Sequence, residues 1–412
     1  MSVMLSGRVT DGLDFEREAL LDPAIQFPNA VSEYALDPRA VLLTGATGLV
    51  GTYLLQELLG KTRARIHCLV RADDQATAKQ RIVRQLQAAG LWREQYEPRI
   101  IALAGDVARP RLGLDEARFR ELGGEIDSIY HGAGVINMRY SYERLRPANV
   151  EGVKEILRLA GLIKTKPLHF VSSIAVFYSD AHPSDRLLTE RDTPRFHPSL
   201  KGSYGKSKWV ADRLVARAQE RGLPACIYRP TRIMGHSKTG VLNESTEILP
   251  ALLKGCILLG LYPDWDIEVT LVPVDYVSRA MVHLAGQSES FGKAFHFFNP
   301  EPVHWRKLMA IVRDLGYPLE VISYAEWRRE INLRAGRFSG GSSADKKFYA
   351  ALVLAFMGLH YLFRKRPPFD GRNTQEGLAG SGISCAPIDR SLIEVYVNYW
   401  RHNGFLPDSG VI

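Results

Sequence analysis

Val41-Leu42-Leu43-Thr44-Gly45-Ala46-Thr47-Gly48-Leu49-Val50-Gly51 reads as a buried strand, a tight turn and the start of a helix. The run at 41–44 is short, apolar and stopped by glycine, the pattern of a strand covered on both faces. Gly45, Gly48 and Gly51 then fall at G-x-x-G-x-x-G spacing. The first glycine permits the turn, the second lets backbone approach a pyrophosphate, and the third lets the helix pack closely on the strand. Phosphate would rest on free N–H groups at the N-terminus of the helix predicted over 49–59. Thr44, Thr47, Leu49 and Val50 complete this candidate dinucleotide loop. A glycine triplet alone is weak evidence; its place between strand and helix gives it weight.

Strand and helix patterns alternate outward from this loop. Strands are predicted at 66–70, 100–104, 128–131, 168–173 and 225–230, with helices over 77–89, 149–160 and 203–221. Such alternation implies a Rossmann-type α/β fold with a doubly wound parallel sheet, whose ligands sit at the carboxyl ends of the strands. Residues 1–38 read as a lead-in with one short helix near 15–21, and 39–230 as the nucleotide-binding domain. From 231 the pattern becomes irregular, with helices expected at 246–259, 275–286 and 304–315. We read 231–412 as a mostly helical substrate-binding lid, with 266–300 returning to the core. The Gly/Ser-rich run at 334–345 reads as mobile. Residues 348–363 are apolar almost all round, yet a 16-residue helix spans only about 24 Å. A buried lid helix is the simpler reading; surface contact with a membrane or acyl chain is the alternative.

Motifs that touch a cofactor fall at the predicted strand ends. The second strand ends Leu69-Val70-Arg71, where an NAD-specific fold usually has an acid for the ribose 2′-hydroxyl. An arginine suits a 2′-phosphate, and Arg81 is placed to add a second guanidinium, so NADPH is the expected cofactor. Asp106 and Val107 follow the third strand, where the carboxylate could meet an adenine amino group. Gly132 and Ala133 follow the fourth, offering small residues where a cofactor passes closely. Asn149 lies where the next helix is predicted to begin, and capping that helix is its simple alternative role.

The chemistry is suggested by Ser203-Tyr204-Gly205-Lys206-Ser207-Lys208. On a helix, Tyr204 and Lys208 share one face, and the ammonium favours the ionised phenol. That makes a proton donor suited to reducing a carbonyl. Ser172 and Ser173 end the fifth strand, where a hydroxyl could share the substrate oxygen. Ser, Tyr and Lys in this order after a dinucleotide loop are a strong joint signal.

With these motifs in place, the chain resembles an extended short-chain dehydrogenase/reductase. More narrowly it resembles the terminal thioester reductase domains of nonribosomal peptide and polyketide synthases, and the reductase domains of carboxylic acid reductases. The likeness is carried by TGATGLVG at 44–51, HCLVRA at 67–72, HGAGVIN at 131–137, LRPANVEG at 145–152, HFVSSIAV at 169–176, SYGKSKWVAD at 203–212, YRPTRIMG at 228–235, PVDYV at 273–277 and NTQEGLAGSGISCAPID at 373–389. The resemblance implies that Ser173, Tyr204 and Lys208 are catalytic, Ser173 being preferred to Ser172 because the family's hydroxyl stands three residues before Val176. Tyr204, Lys208, Arg229 and Ile233 are expected against the cofactor. The implied reaction is NADPH-dependent release of an acyl or peptidyl thioester from a carrier protein, as an aldehyde or, after a second hydride, an alcohol. Relatives usually end multidomain chains; with about 40 residues before the loop, this one is expected to be free-standing and to meet its carrier in trans. A fatty acyl-CoA reductase and a nucleotide-sugar epimerase or dehydratase are the alternatives from neighbouring chemistry. A non-enzymatic dinucleotide sensor would typically lack the Tyr or the Lys.

Composition fits a cytoplasmic enzyme. The 412 residues are 46% hydrophobic and 24% charged, with a net charge of +8. No apolar secretory segment opens the chain. No block of like charge or nucleic-acid motif appears, so nucleic acid is not an expected partner, whereas an acidic carrier is. Cys68, Cys226, Cys256 and Cys385 are far apart and lack metal-ligand spacing, so no metal is expected.

Overall fold

In a computed structural model the described residues are 13–200, 202–242, 248–338 and 367–408. The centre is a seven-stranded, all-parallel sheet: β1 (Ala40–Thr44), β2 (Arg65–Val70), β3 (Ile100–Ala104), β4 (Ser128–His131), β5 (Leu168–Val171), β6 (Ala225–Pro230) and β7 (Ala294–Phe297). Their spatial order is β7-β6-β5-β4-β1-β2-β3. The order reverses between β1 and β4, and register pairs Thr44 with His131 at their carboxyl ends. A crevice opens outside such a switch point.

Helices follow the strands: α1 (Leu49–Lys61), α2 (Gln75–Ala88), α3 (Glu116–Glu125), α4 (Gly152–Gly161), α5 (Ser203–Glu220), α6 (Ile248–Leu259) and α7 (Val274–Ala285). Alternate residues of the strands serve opposite faces. Leu42, Leu69, Leu103 and Phe170 pack with Leu157 and Trp209. Val41, Leu43, Cys68 and Tyr228 pack with Leu54, Met281 and Leu284. Both faces are therefore dry, which accounts for the continuous apolar runs in the sequence. Residues Phe15, Ala19, Leu21 and Ile25 of the lead-in join the first of these cores.

A third core lies in the C-terminal part and draws on α6, the helix Trp305–Asp314 and the helix Arg390–His402. Trp265 sits at its centre, with ring centroids 5.1 Å from Trp305 and 5.6 Å from Trp327. Small pairings brace it, such as Leu261–Pro263 beside Glu320–Ile322. The segment from 367 laces back onto the sheet. Leu188 exchanges backbone hydrogen bonds with Pro368 and Asp370. Buried Glu190 accepts from the His296 N–H at 2.7 Å and from the Thr374 hydroxyl at 2.7 Å.

Several expectations need adjusting. The helix predicted from 149 starts earlier: Tyr142–Arg146 is helical and runs through a π-helical turn, Pro147–Glu151, into α4. Asn149 is thus inside a helical run, and the capping alternative does not hold. Amphipathic α3 and the helices Tyr324–Phe338, Arg372–Leu378 and Arg390–His402 are additions to the predicted elements. The helix Tyr324–Phe338 covers the start of the run expected to be mobile; residues 339–345 and the apolar segment 348–363 lie outside the described residues. No helix among the described residues is long and apolar enough to cross a membrane.

Candidate active site

The glycine loop is fixed by backbone contact. Gly45 has φ +81°, and a Cβ there would come within 2.8 Å of Ala133 N. A Cβ on Gly51 would lie 2.0 Å from the Gly45 carbonyl oxygen. Gly48 differs: its Cβ would meet only that oxygen, at an ordinary 3.4 Å. The Gly48 face thus opens away from the protein, and no side chain caps the N-terminus of α1. This is a cradle that fits a pyrophosphate. Thr44 ties it to β4. Its hydroxyl oxygen accepts from the Ala133 N–H at 3.2 Å and lies 2.7 Å from His131 Nδ1. Burial pushes His131 down to about 3, so the ring is neutral.

Arg71 is exposed at the end of β2. Arg81, from α2, donates to the Arg71 backbone carbonyl, which brings both cations to one strand end. Asp106 follows β3 and accepts from the Ala108 N–H at 2.9 Å, shaping the turn. Val107 packs against Gly152, where a Cβ would meet the Val107 carbonyl oxygen at 2.8 Å. Ile233 sits in a two-residue strand paired with Val272–Pro273.

Tyr204 and Lys208 occupy the first turns of α5. Lys208 Nζ donates to the Val171 carbonyl at 2.6 Å and lies 4.7 Å from the Phe170 ring centroid. The face carrying Tyr204 and Lys208 is therefore set against the end of β5, two residues before Ser173. Burial lowers Lys208 to about 8, with the Asp212 charge acting in the opposite sense. The two serines are held differently. Ser172 is buried and donates to Asp212 Oδ2 at 2.6 Å. Ser173 caps a short 3-10 turn, its oxygen accepting from the Ala175 N–H at 3.2 Å. The Ser172 proton is committed inside the fold, whereas the Ser173 hydroxyl keeps its proton to donate.

Asn149 joins loop and helix. It accepts from the Val135 N–H at 2.7 Å and donates to the Val135 carbonyl at 3.1 Å and to Ser207 Oγ at 3.0 Å. Arg229 is placed otherwise than expected for a side chain against a cofactor. Its guanidinium is buried and bidentate on Asp212, at 2.9 and 2.8 Å. Sequence reasoning misses Asp212, although its position eight residues after Tyr204 on a helix is an available signal.

The family described as Male sterility protein matches residues 43–281, more than half of the chain. The chain belongs to this family. It is an oxidoreductase of the extended short-chain dehydrogenase/reductase type with a nicotinamide-dinucleotide-binding domain. Its resemblance to terminal reductase domains holds at the level of structure. The terminal R domain from the myxalamid PKS-NRPS biosynthetic pathway aligns with a TM-score of 0.88 and 38% identity, over 95% of this chain and 98% of that one. A linear gramicidin synthase polypeptide from Brevibacillus parabrevis is 36% identical over 96% of this chain, which spans 8% of that protein. Glycine betaine reductase ATRR from Emericella nidulans is 36% identical over 94% of this chain and 30% of its own length. The chain thus spans less than a third of either relative. Among the described residues no His, Cys, Asp and Glu cluster could hold a metal ion.

Proposed function

We propose that this reductase releases an acyl or peptidyl thioester from the phosphopantetheinyl arm of a carrier protein by NADPH-dependent reduction. The product is an aldehyde, and a second turnover at the same centre gives the alcohol. The reading rests on one observation above all: the Lys208–Val171 hydrogen bond sets the Tyr204–Lys208 face beside Ser173 at the end of β5. The likeness to a reductase domain over nearly its full length supports the same chemistry. The exposed Arg71, with Arg81 bonded to its carbonyl, supports a 2′-phosphate and hence NADPH over NADH. The net charge of +8 supports an acidic carrier as partner.

Bound on the loop at 45–51, the nicotinamide cofactor supplies a hydride. Tyr204 and Ser173 hydrogen-bond the thioester oxygen and stabilise the charge that grows on it. Tyr204 then donates its proton. Lys208 stays protonated below about pH 8 and favours the tyrosinate that forms. Collapse of the resulting thiohemiacetal expels the pantetheine thiol and leaves the aldehyde. The chain's cysteines take no part: burial raises Cys68, Cys226 and Cys385 to about 12.

Tyr204→Phe tests this. With an acyl thioester on a separately supplied carrier, NADPH oxidation should fall roughly 10²–10⁴-fold, while NADPH affinity is retained. Near-normal turnover would refute the mechanism. Acyl-CoA, assayed alongside, should be the poorer substrate.

A further inference from the structure

The catalytic face of α5 does not end at Lys208. Positions 204, 208 and 212 are spaced four apart, so Tyr204, Lys208 and Asp212 lie in one line along the helix. Asp212 is fully buried. It gathers Ser172 from the end of β5 and the fork of Arg229 from β6. Arg229 is 3% exposed and lies over the Phe177 ring. A buried ion pair is weak evidence of stabilisation, because apolar side chains of like volume close a core as well or better. Its place in the line, and its bond to the neighbour of Ser173, give it a different meaning.

Burial works against the charge of Lys208, and few of its neighbours are charged. Phe170 lies beneath it, and His131, which faces it from β4, is neutral. The Val171 carbonyl on β5, which accepts from its ammonium, is a dipole and carries no net charge. The charge acting in its favour is that of Asp212, one turn along its own helix. We propose that Asp212 is a positioning residue: it keeps Lys208 protonated and, through Ser172, fixes the strand end that presents Ser173. The catalytic consequence rests on the function proposed above; the effect on Lys208 ionisation does not.

The test is a pH titration of Lys208, followed by NMR in the full chain carrying ¹³C-labelled lysine, with the resonance assigned by its loss in Lys208→Gln. Asp212→Asn should lower the Lys208 midpoint by about one unit or more, a tenfold loss of protonated lysine above the midpoint. Asp212→Glu should restore it. Asp212→Asn strands Arg229 and could unfold the chain, so the paired variant Asp212→Asn/Arg229→Gln, free of any unpaired charge, is titrated as well and should also show a lowered midpoint. An unmoved midpoint in either folded variant overturns the proposal. In the thioester assay the alkaline limb of the rate profile should move down with the midpoint, whereas Ser172→Ala should lower kcat and leave the limb in place. Absence of thioester reduction by the unaltered chain would count against the proposed function, and the NMR titration would still decide the role of Asp212.

Discussion

The second and third glycines of the loop make opposite demands, and alanine substitution should separate them. At Gly51 a methyl group would stand 2.0 Å from the Gly45 carbonyl oxygen, 2.5 Å from its carbon and 2.9 Å from Ala46 N. All three are backbone atoms, so no side chain can turn aside. Reaching the ordinary 3.4 Å contact seen at Gly48 requires a shift of about 1.4 Å (3.4 minus 2.0) between α1 and the loop. Overpacking of this kind costs about 1–3 kcal/mol or more, a fall in Tm of roughly 1–4 °C or more for a chain of 412 residues. At Gly48 φ is −91°, which any residue adopts, and the methyl group meets only an ordinary contact. Gly48→Ala should therefore keep its Tm. Its methyl group, however, points into the space a pyrophosphate must enter, so NADPH affinity should fall about 100-fold or more, the loss of two charge-assisted hydrogen bonds. Thermal unfolding with and without NADPH reads both effects at once. Gly51→Ala should show a low Tm without ligand, and Gly48→Ala a normal Tm that NADPH no longer raises. A Gly48→Ala variant that binds NADPH normally, or that melts as low as Gly51→Ala, would refute this account of the loop.

Two further outcomes follow from the site and its surroundings. Arg71→Glu should raise the KM for NADPH roughly 10–100-fold, the worth of a charged hydrogen bond, and leave that for NADH nearly unchanged; parallel initial-rate assays with the two cofactors check it. His131, His169 and His296 are each pushed down to about 3 by burial, so between pH 6.5 and 3 the unfolded chain takes up their protons and the folded chain does not. Folding stability should then fall as pH drops below 6.5, by about 4 kcal/mol per pH unit for the three together, and urea midpoints from pH 7 to pH 5 measure it.

What is legible in the sequence, and what is not, divides along physical lines. The strands of the sheet announce themselves because both faces are buried: Val41 to Thr44 and Ala225 to Pro230 are covered throughout, and a continuous apolar run between turn residues has few other readings. The loop and the Tyr204–Lys208 pair are equally local, each fixed by spacing within a few residues. The C-terminal elements are not. Trp265 finds Trp305 and Trp327 across 40 and 62 positions of chain, and Leu188 finds Asp370 across 182, contacts to which no local period points. Asn149 shows the same limit inside the site. Its neighbours in sequence suggest the start of a helix, but the helical run begins at Tyr142. A π-helical turn at Pro147–Glu151 surrounds Asn149, whose amide reaches both the β4 loop and α5. Such turns recur at functional sites because the extra residue re-aims a side chain without ending the helix. Arg229 makes the complementary point. The family resemblance sets Arg229 against the cofactor, yet its fork is closed on Asp212, itself in line with Lys208. Sequence spacing finds the groups proposed to meet a ligand. The buried partners that hold them, such as Asp212 beneath Ser172 and Arg229, lie one contact further in, where only packing shows them.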